Sequence, residues 1–120
     1  MIIRLLTMLA LIATPVLATA QRAYNSRAVQ LRYLDRTTGE QGDVDLLIGQ
    51  KANLGTLEVI VEECRYPAGA ISSDAFAFLS IQEPDLQKDW FGGWMVASSP
   101  ALNALEHPRY DIWVLRCKTS

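Results

Sequence analysis

Histidine occurs once in these 120 residues and cysteine twice. The side chains that most often build catalytic and metal centres are therefore nearly absent. His107 with two isolated cysteines makes a poor zinc or redox ligand set, and there is no Cys-x-x-Cys pair. No Gly-x-Ser-x-Gly elbow frames a serine. Basic residues are not in excess: eleven Lys and Arg stand against thirteen Asp and Glu, with the signs interspersed. That leaves neither the electrostatic footprint of a nucleic-acid binder nor a polybasic membrane-surface patch. Internal repeats, low-complexity stretches and a long linker are missing too. The apolar run at 5–13 falls well short of the roughly 20 residues a spanning helix needs.

That run has another reading. Arg4 supplies a positive start, residues 5–13 an apolar stretch of signal-peptide length, and Pro15 a break. Ala18-Thr19-Ala20 then offers a small-x-small cleavage site before Gln21. The expectation is export to the periplasm with cleavage after Ala20. No cysteine follows that site, so no lipid anchor is expected. The organisation that results is a leader at 1–20, a flexible arm at 21–27 and one β-rich domain at 28–120. Without Arg4 the charge is near −3, ten basic residues against thirteen acidic. A domain of this size hides only about 60–65% of its chain's surface, a thin core.

In an oxidising compartment two thiols are most simply one disulfide. Cys64 and Cys117 each close a similar apolar run, and the second lies near the C-terminus. A bridge closing a loop of roughly fifty residues contributes about 4 kcal/mol in the loop-entropy model.

Val29, Leu31 and Tyr33 alternate with Gln30 and Arg32, the period of a half-buried strand. A turn at 35–39 leads to a second strand at 44–48. Gly49 turns the chain again, and 56–62 alternates as a third strand. Residues 75–81 are apolar on both faces and suit a central strand. A polar connection at 83–89 precedes a short strand at 94–97. Ser99 as N-cap and Pro100 at the first helical position predict a helix of about two turns near 100–107, packed through Leu102 and Leu105 and stopped by Pro108. Tyr110 to Cys117 forms the last strand. The sum is a mainly β chain: a small single-domain sandwich or partly open barrel of about six strands with one short helix.

The stretch Phe91-Gly92-Gly93-Trp94-Met95, then Ala97-Ser98-Ser99-Pro100-Ala101-Leu102, Leu105-Glu106-His107-Pro108 and Tyr110-Asp111-Ile112-Trp113-Val114 through Cys117 is distinctive. With Leu34-Asp35-Arg36-Thr37-Thr38-Gly39, Leu54-Gly55-Thr56-Leu57 and Ala75-Phe76-Ala77-Phe78-Leu79, it resembles the family catalogued as domain of unknown function 2155. Gly92 departs from the small polar residue expected there. The resemblance implies exported, single-domain envelope proteins of Gram-negative bacteria with paired cysteines and no assigned catalytic role. It also implies an association with the proton-pumping NADH–quinone oxidoreductase, and so a periplasmic accessory subunit.

Few side chains could carry chemistry. His107 has Glu106 beside it and Asp111 close by, and Ser98 or Ser99 could serve as nucleophile. The simpler reading makes Ser99 a helix cap and sets His107 against free carbonyls at the helix end. Asp43 and Asp45 share a strand face, and Asp85 and Asp89 share a polar loop. Adjacent Glu62 and Glu63 are expected on opposite sheet faces. None matches a calcium loop or a glycosidase pair. Trp94 and Trp113 read as core. Trp90 and Phe91, with Met95 beside them, read as a partner surface. No catalytic residue, metal or cofactor is therefore assigned. The expected function is a non-enzymatic periplasmic module binding an envelope or inner-membrane protein complex. The alternatives are a cell-wall or glycan-binding domain using Trp90 and Phe91, and an unrecognised hydrolase.

Overall fold

A computed structural model describes residues 12–14 and 23–119. Apart from 12–14, the leader expected over 1–20 lies outside the described residues, as does its cleavage site. Eight strands follow: β1 (Ala23–Asn25), β2 (Ala28–Asp35), β3 (Gln41–Leu47), β4 (Lys51–Leu54), β5 (Leu57–Pro67), β6 (Phe76–Glu83), β7 (Lys88–Val96) and β8 (Tyr110–Lys118). They form two antiparallel sheets. The larger has the order β1-β5-β6-β7, with β4 also paired to β5; the smaller is β3-β2-β8. The architecture is the sandwich, not a closed barrel, and it has eight strands where about six were expected.

Alternation explains the layers. On β5, Leu57, Val59 and Val61 point inward while Glu58 and Ile60 stay half-exposed. Ala77, Leu79 and Ile81 of β6 continue that inner surface. Val29 and Leu31 of β2 with Ile112 and Val114 of β8 cover it from the smaller sheet. Cys64 on β5 and Cys117 on β8 are joined, so the disulfide ties one sheet to the other across a sequence separation of 53.

β4 pairs the start of β5, with Leu54 opposite Leu57, and β1 pairs its end, with Ala23 opposite Pro67. Between them the Gly49 N–H bonds the Val61 carbonyl and the Ser26 N–H bonds that of Cys64. The exposed carbonyls of this long edge thus find donors in the gap. Of the arm expected to be loose over 21–27, Ala23–Asn25 is drawn into the sheet for that reason, while 21–22 lie outside the described residues.

Three bulges bend the strands, near Gln30/Leu31, Val61/Glu63 and Ile81/Gln82. The third lies in the β6–β7 pair, where Ile81 faces Phe91 and Gln82 faces Asp89, leaving Trp90 as the extra residue. The connection expected at 83–89 is only a 3₁₀ turn at Pro84–Leu86 joining β6 to a full-length β7.

The predicted helix does not form. Pro100–Leu102 makes a single 3₁₀ turn, and the Ser99 side chain makes no capping bond. Asn103 is already extended, and its amide donates to the Trp94 carbonyl at 2.9 Å. That bond to the β7 backbone competes with a second helical turn, and two turns are too few to stand alone. Of the two leucines expected to pack, Leu105 is buried and Leu102 is 77% exposed.

Candidate functional site

Of the polar residues singled out near the C-terminus, His107 and Asp111 come together at one end of the sandwich. The two-residue turn Gly55-Thr56, the end of β6, the β7 bulge and the 107–111 segment meet there. Glu83 sits at the centre, buried. Its Oε1 accepts the His107 Nε2 proton at 3.0 Å and the Trp90 indole N–H at 3.0 Å, and its Oε2 accepts the Thr56 hydroxyl at 2.9 Å. The His107 hydrogen bond, helped by those from Thr56 and Trp90, holds the Glu83 carboxyl below the usual carboxylate range against the opposing effect of burial.

His107 is only 7% exposed. Its Nδ1 accepts the backbone N–H of Arg109 at 3.0 Å and of Tyr110 at 3.2 Å. Those two donors assign the ring proton to Nε2. Both ring nitrogens are thus committed inside the domain. The imidazole has no free lone pair to offer a substrate, and the helix end expected to hold it does not exist. Its ring packs 4.2 Å from that of Trp90, and the Lys88 ammonium lies 3.7 Å from the Trp90 centroid.

Two arginine–carboxylate pairs close the same end. Arg109 grips Asp35 through Nε and Nη2, the latter at 2.9 Å. Arg36 donates to Asp111 at 2.6 and 3.1 Å and to the His107 carbonyl at 2.9 Å. Among the described residues no buried side-chain nitrogen or oxygen lacks a partner. A network satisfied this fully rigidifies a fold.

Asp35 also accepts the Thr37 and Thr38 N–H groups. Chiefly through the Arg109 hydrogen bonds, and against burial, its pKa falls from 3.8 to about 2. A depressed carboxylate stabilises the fold above its unfolded pKa and loses that contribution as pH falls through the folded value. Stability should therefore drop as pH falls from about 4 to about 2. Urea midpoints measured across that range should show Asp35→Asn less stable at neutral pH but with a flatter acid limb. An unchanged limb would count against the Arg109–Asp35 pair as its origin.

The outer face of the larger sheet is different in kind. Phe76 and Phe78 of β6 and Val96 of β7 are half-buried there, and Trp94 is 37% exposed. Phe78 and Trp94 are cross-strand partners whose rings meet edge-on at 5.4 Å. The Arg65 guanidinium lies 5.5 Å from the Trp94 centroid. Strand parity places these rings together: Met95 points into the core, so its neighbours on β7 point out.

The family described as "Uncharacterized protein conserved in bacteria (DUF2155)" matches residues 29–117. The chain belongs to this family. A further relative is the "Uncharacterized protein RP359" of Rickettsia prowazekii (strain Madrid E), 28% identical over 87 residues. That alignment covers 70% of this chain and 56% of the relative, so the chain spans little more than half of the relative's length. No solved structure matches.

In this DUF2155 chain the expected partner surface divides. Met95 is buried at 3% and belongs to the core. Trp90 and Phe91 are half-buried against it, Trp90 being turned inward by the bulge and held by Glu83. Trp94, expected in the core, supplies the exposed ring, and Trp113 is half-buried on β8. Ser99 and Pro100 flank the 3₁₀ turn without a side-chain cap. Ser98 bonds Asp74 instead, through its N–H and hydroxyl. Asp43 and Asp45 are engaged by Arg32 and Lys118 at 2.7 and 2.6 Å. The Val61/Glu63 bulge puts Glu63 opposite outward-facing Phe78 and leaves Glu62 beside Ser80, so both glutamates share the outer face. Among the described residues no group of three His, Cys, Asp or Glu side chains could hold a metal ion. Sequence reasoning missed Glu83, Arg109 and Asp35. Only their placement at strand ends, Glu83 before Pro84 and Asp35 before a turn, hinted at them.

Proposed function

We propose that this chain is a non-catalytic periplasmic binding module, an accessory subunit docked on an inner-membrane protein complex. The family resemblance favours the proton-pumping NADH–quinone oxidoreductase as that complex. The observation that carries the reading is the outward aromatic cluster of Phe76, Phe78 and Trp94 on a sheet face. Large rings left partly exposed together are costly in water, and aromatics concentrate in binding hot spots. Two further features support it. The one imidazole is consumed by Glu83 and backbone donors. The inter-sheet disulfide suits an oxidising compartment.

The test is affinity purification of the tagged protein from detergent-solubilised membranes. The expected result is co-elution with an integral membrane complex, lost in a Phe78→Ala, Trp94→Ala variant whose circular dichroism is unchanged. Elution of the wild-type protein alone argues against the reading.

A further inference from the structure

The aromatic face carries information on the chemistry of its partner. Four carboxylates stand on or beside it: Glu58, Glu62, Glu63 and Asp89. Lys51 engages Glu58 at 3.4 Å and Arg65 engages Glu63 at 3.1 Å. Glu62 and Asp89 form no ion pair among the described residues; Glu62 accepts only the Ser80 hydroxyl, at 3.4 Å. Lys88, beside Asp89, lies over Trp90 and forms no ion pair among the described residues, so four carboxylates stand against three cations and the face keeps a net negative charge. On the opposite sheet Asp43, Asp45 and Asp111 are all paired with cations.

A groove of about 360 Å³ crosses β6 and β7 between these charges. Register places Ser80 opposite Gly92 and Gln82 opposite Asp89 in its lining, which Trp90 and Phe91 complete; the Phe78–Trp94 pair follows two residues further along the same strands. A Cβ at Gly92 would meet nothing within 4 Å, so the floor is open. The groove therefore sets a carboxylate, Asp89, beside the Trp90 ring, with the Trp94 indole beyond Gly92 on the same strand. The molecule already shows what suits these rings: Lys88 lies over Trp90 and Arg65 beside Trp94.

Resting on the binding role proposed above, the geometry points to a partner of one kind: a basic protein segment. One lysine or arginine side chain enters the groove toward Asp89, and apolar neighbours pack on Phe78 and Trp94. Charge complementarity selects this occupant. A second copy laid face to face would bring together two surfaces of the same net negative charge, and an anionic lipid surface would be repelled. A neutral glycan would use the indole and leave both carboxylates without a cation.

The test is an amide NMR titration of the purified protein with an acetylated six-residue peptide of alternating arginine and leucine. Shifts should centre on Ser80, Gly92 and Trp94. Affinity should fall about tenfold in Glu62→Gln, Asp89→Asn, while the same charge change in Asp43→Asn, Asp45→Asn leaves it near wild type. Equal weakening in both double variants would reduce the effect to net charge and overturn the inference, as would shifts lying elsewhere. Chitotriose moving the same amides while the peptide moves none would overturn it in favour of a sugar. If the Glu62→Gln, Asp89→Asn protein still co-elutes with its membrane complex while the Trp94→Ala protein does not, the charge assignment fails and the binding role stands.

Discussion

Alanine at position 55 should destabilise this protein by about 3–5 kcal/mol, enough to leave a domain with roughly 5–10 kcal/mol of stability partly unfolded on mild warming. Gly55 is the first residue of the two-residue turn between β4 and β5 and has φ +61°. A positive φ there is the type II′ hairpin pattern, which glycine meets without cost. A Cβ in that conformation costs about 1–2 kcal/mol by itself. The larger penalty comes from what lies beneath. A Cβ at this position would sit 2.6 Å from Cζ and 2.8 Å from Cε1 of Tyr110. That ring is buried at the start of β8, and its hydroxyl accepts the Thr56 N–H at 3.3 Å. It cannot withdraw without releasing the turn and, through Thr56, the Glu83 network. Urea denaturation of Gly55→Ala should show a large fall in midpoint. A change below about 1 kcal/mol would mean that the turn rides freely over the ring.

Removing the disulfide should cost about 4 kcal/mol, and for a domain of this size that lowers Tm by roughly 15–30 °C. The bridge joins β5 to β8, and so the larger sheet to the smaller, at the opposite end of both strands from Tyr110 and Leu57. Both sulfurs are buried, so the cross-link lies within the core. Without it the two sheets are held by apolar packing and by the polar network at the far end. Differential scanning calorimetry of Cys64→Ala, Cys117→Ala should show this fall. Because the two cysteines are already packed as small apolar groups, alanine there leaves little empty space, and the measured loss reports the cross-link. A shift under about 5 °C would show that packing alone keeps the sheets together.

These two effects differ in how far the sequence announces them. Two cysteines ending similar apolar runs announce a bridge. Nothing local to Gly55 names Tyr110, which lies 55 residues away in the chain. The strands read best where one face meets the core and the other meets water: β2, β5 and β8 appear close to their predicted places. β7 was legible only at its end, because Gly92 and Gly93 depress strand propensity and because the register with β6, not local preference, extends it to Lys88. Parity failed at the bulges. One inserted residue reverses which side chains face inward, so Trp90 turned toward Glu83 and Glu62 and Glu63 both turned outward. Trp94 and Met95 exchanged their expected places for the related reason that adjacent strand residues cannot both face the core. The helix near 100–107 had correct start and stop signals, but Asn103 and Leu105 had better partners in β7 and in the core.

By itself, the sequence determined that the chain is mainly β and that its two cysteines could pair with each other. Those conclusions follow from alternation and composition, which are local. Only the tertiary structure decided that His107 is a buried, fully bonded strut, that Trp94 and not Met95 meets solvent, and that two unpaired carboxylates flank the exposed rings. Each of those depends on strand register and on residues from distant segments meeting, and neither is written in any single stretch of the chain.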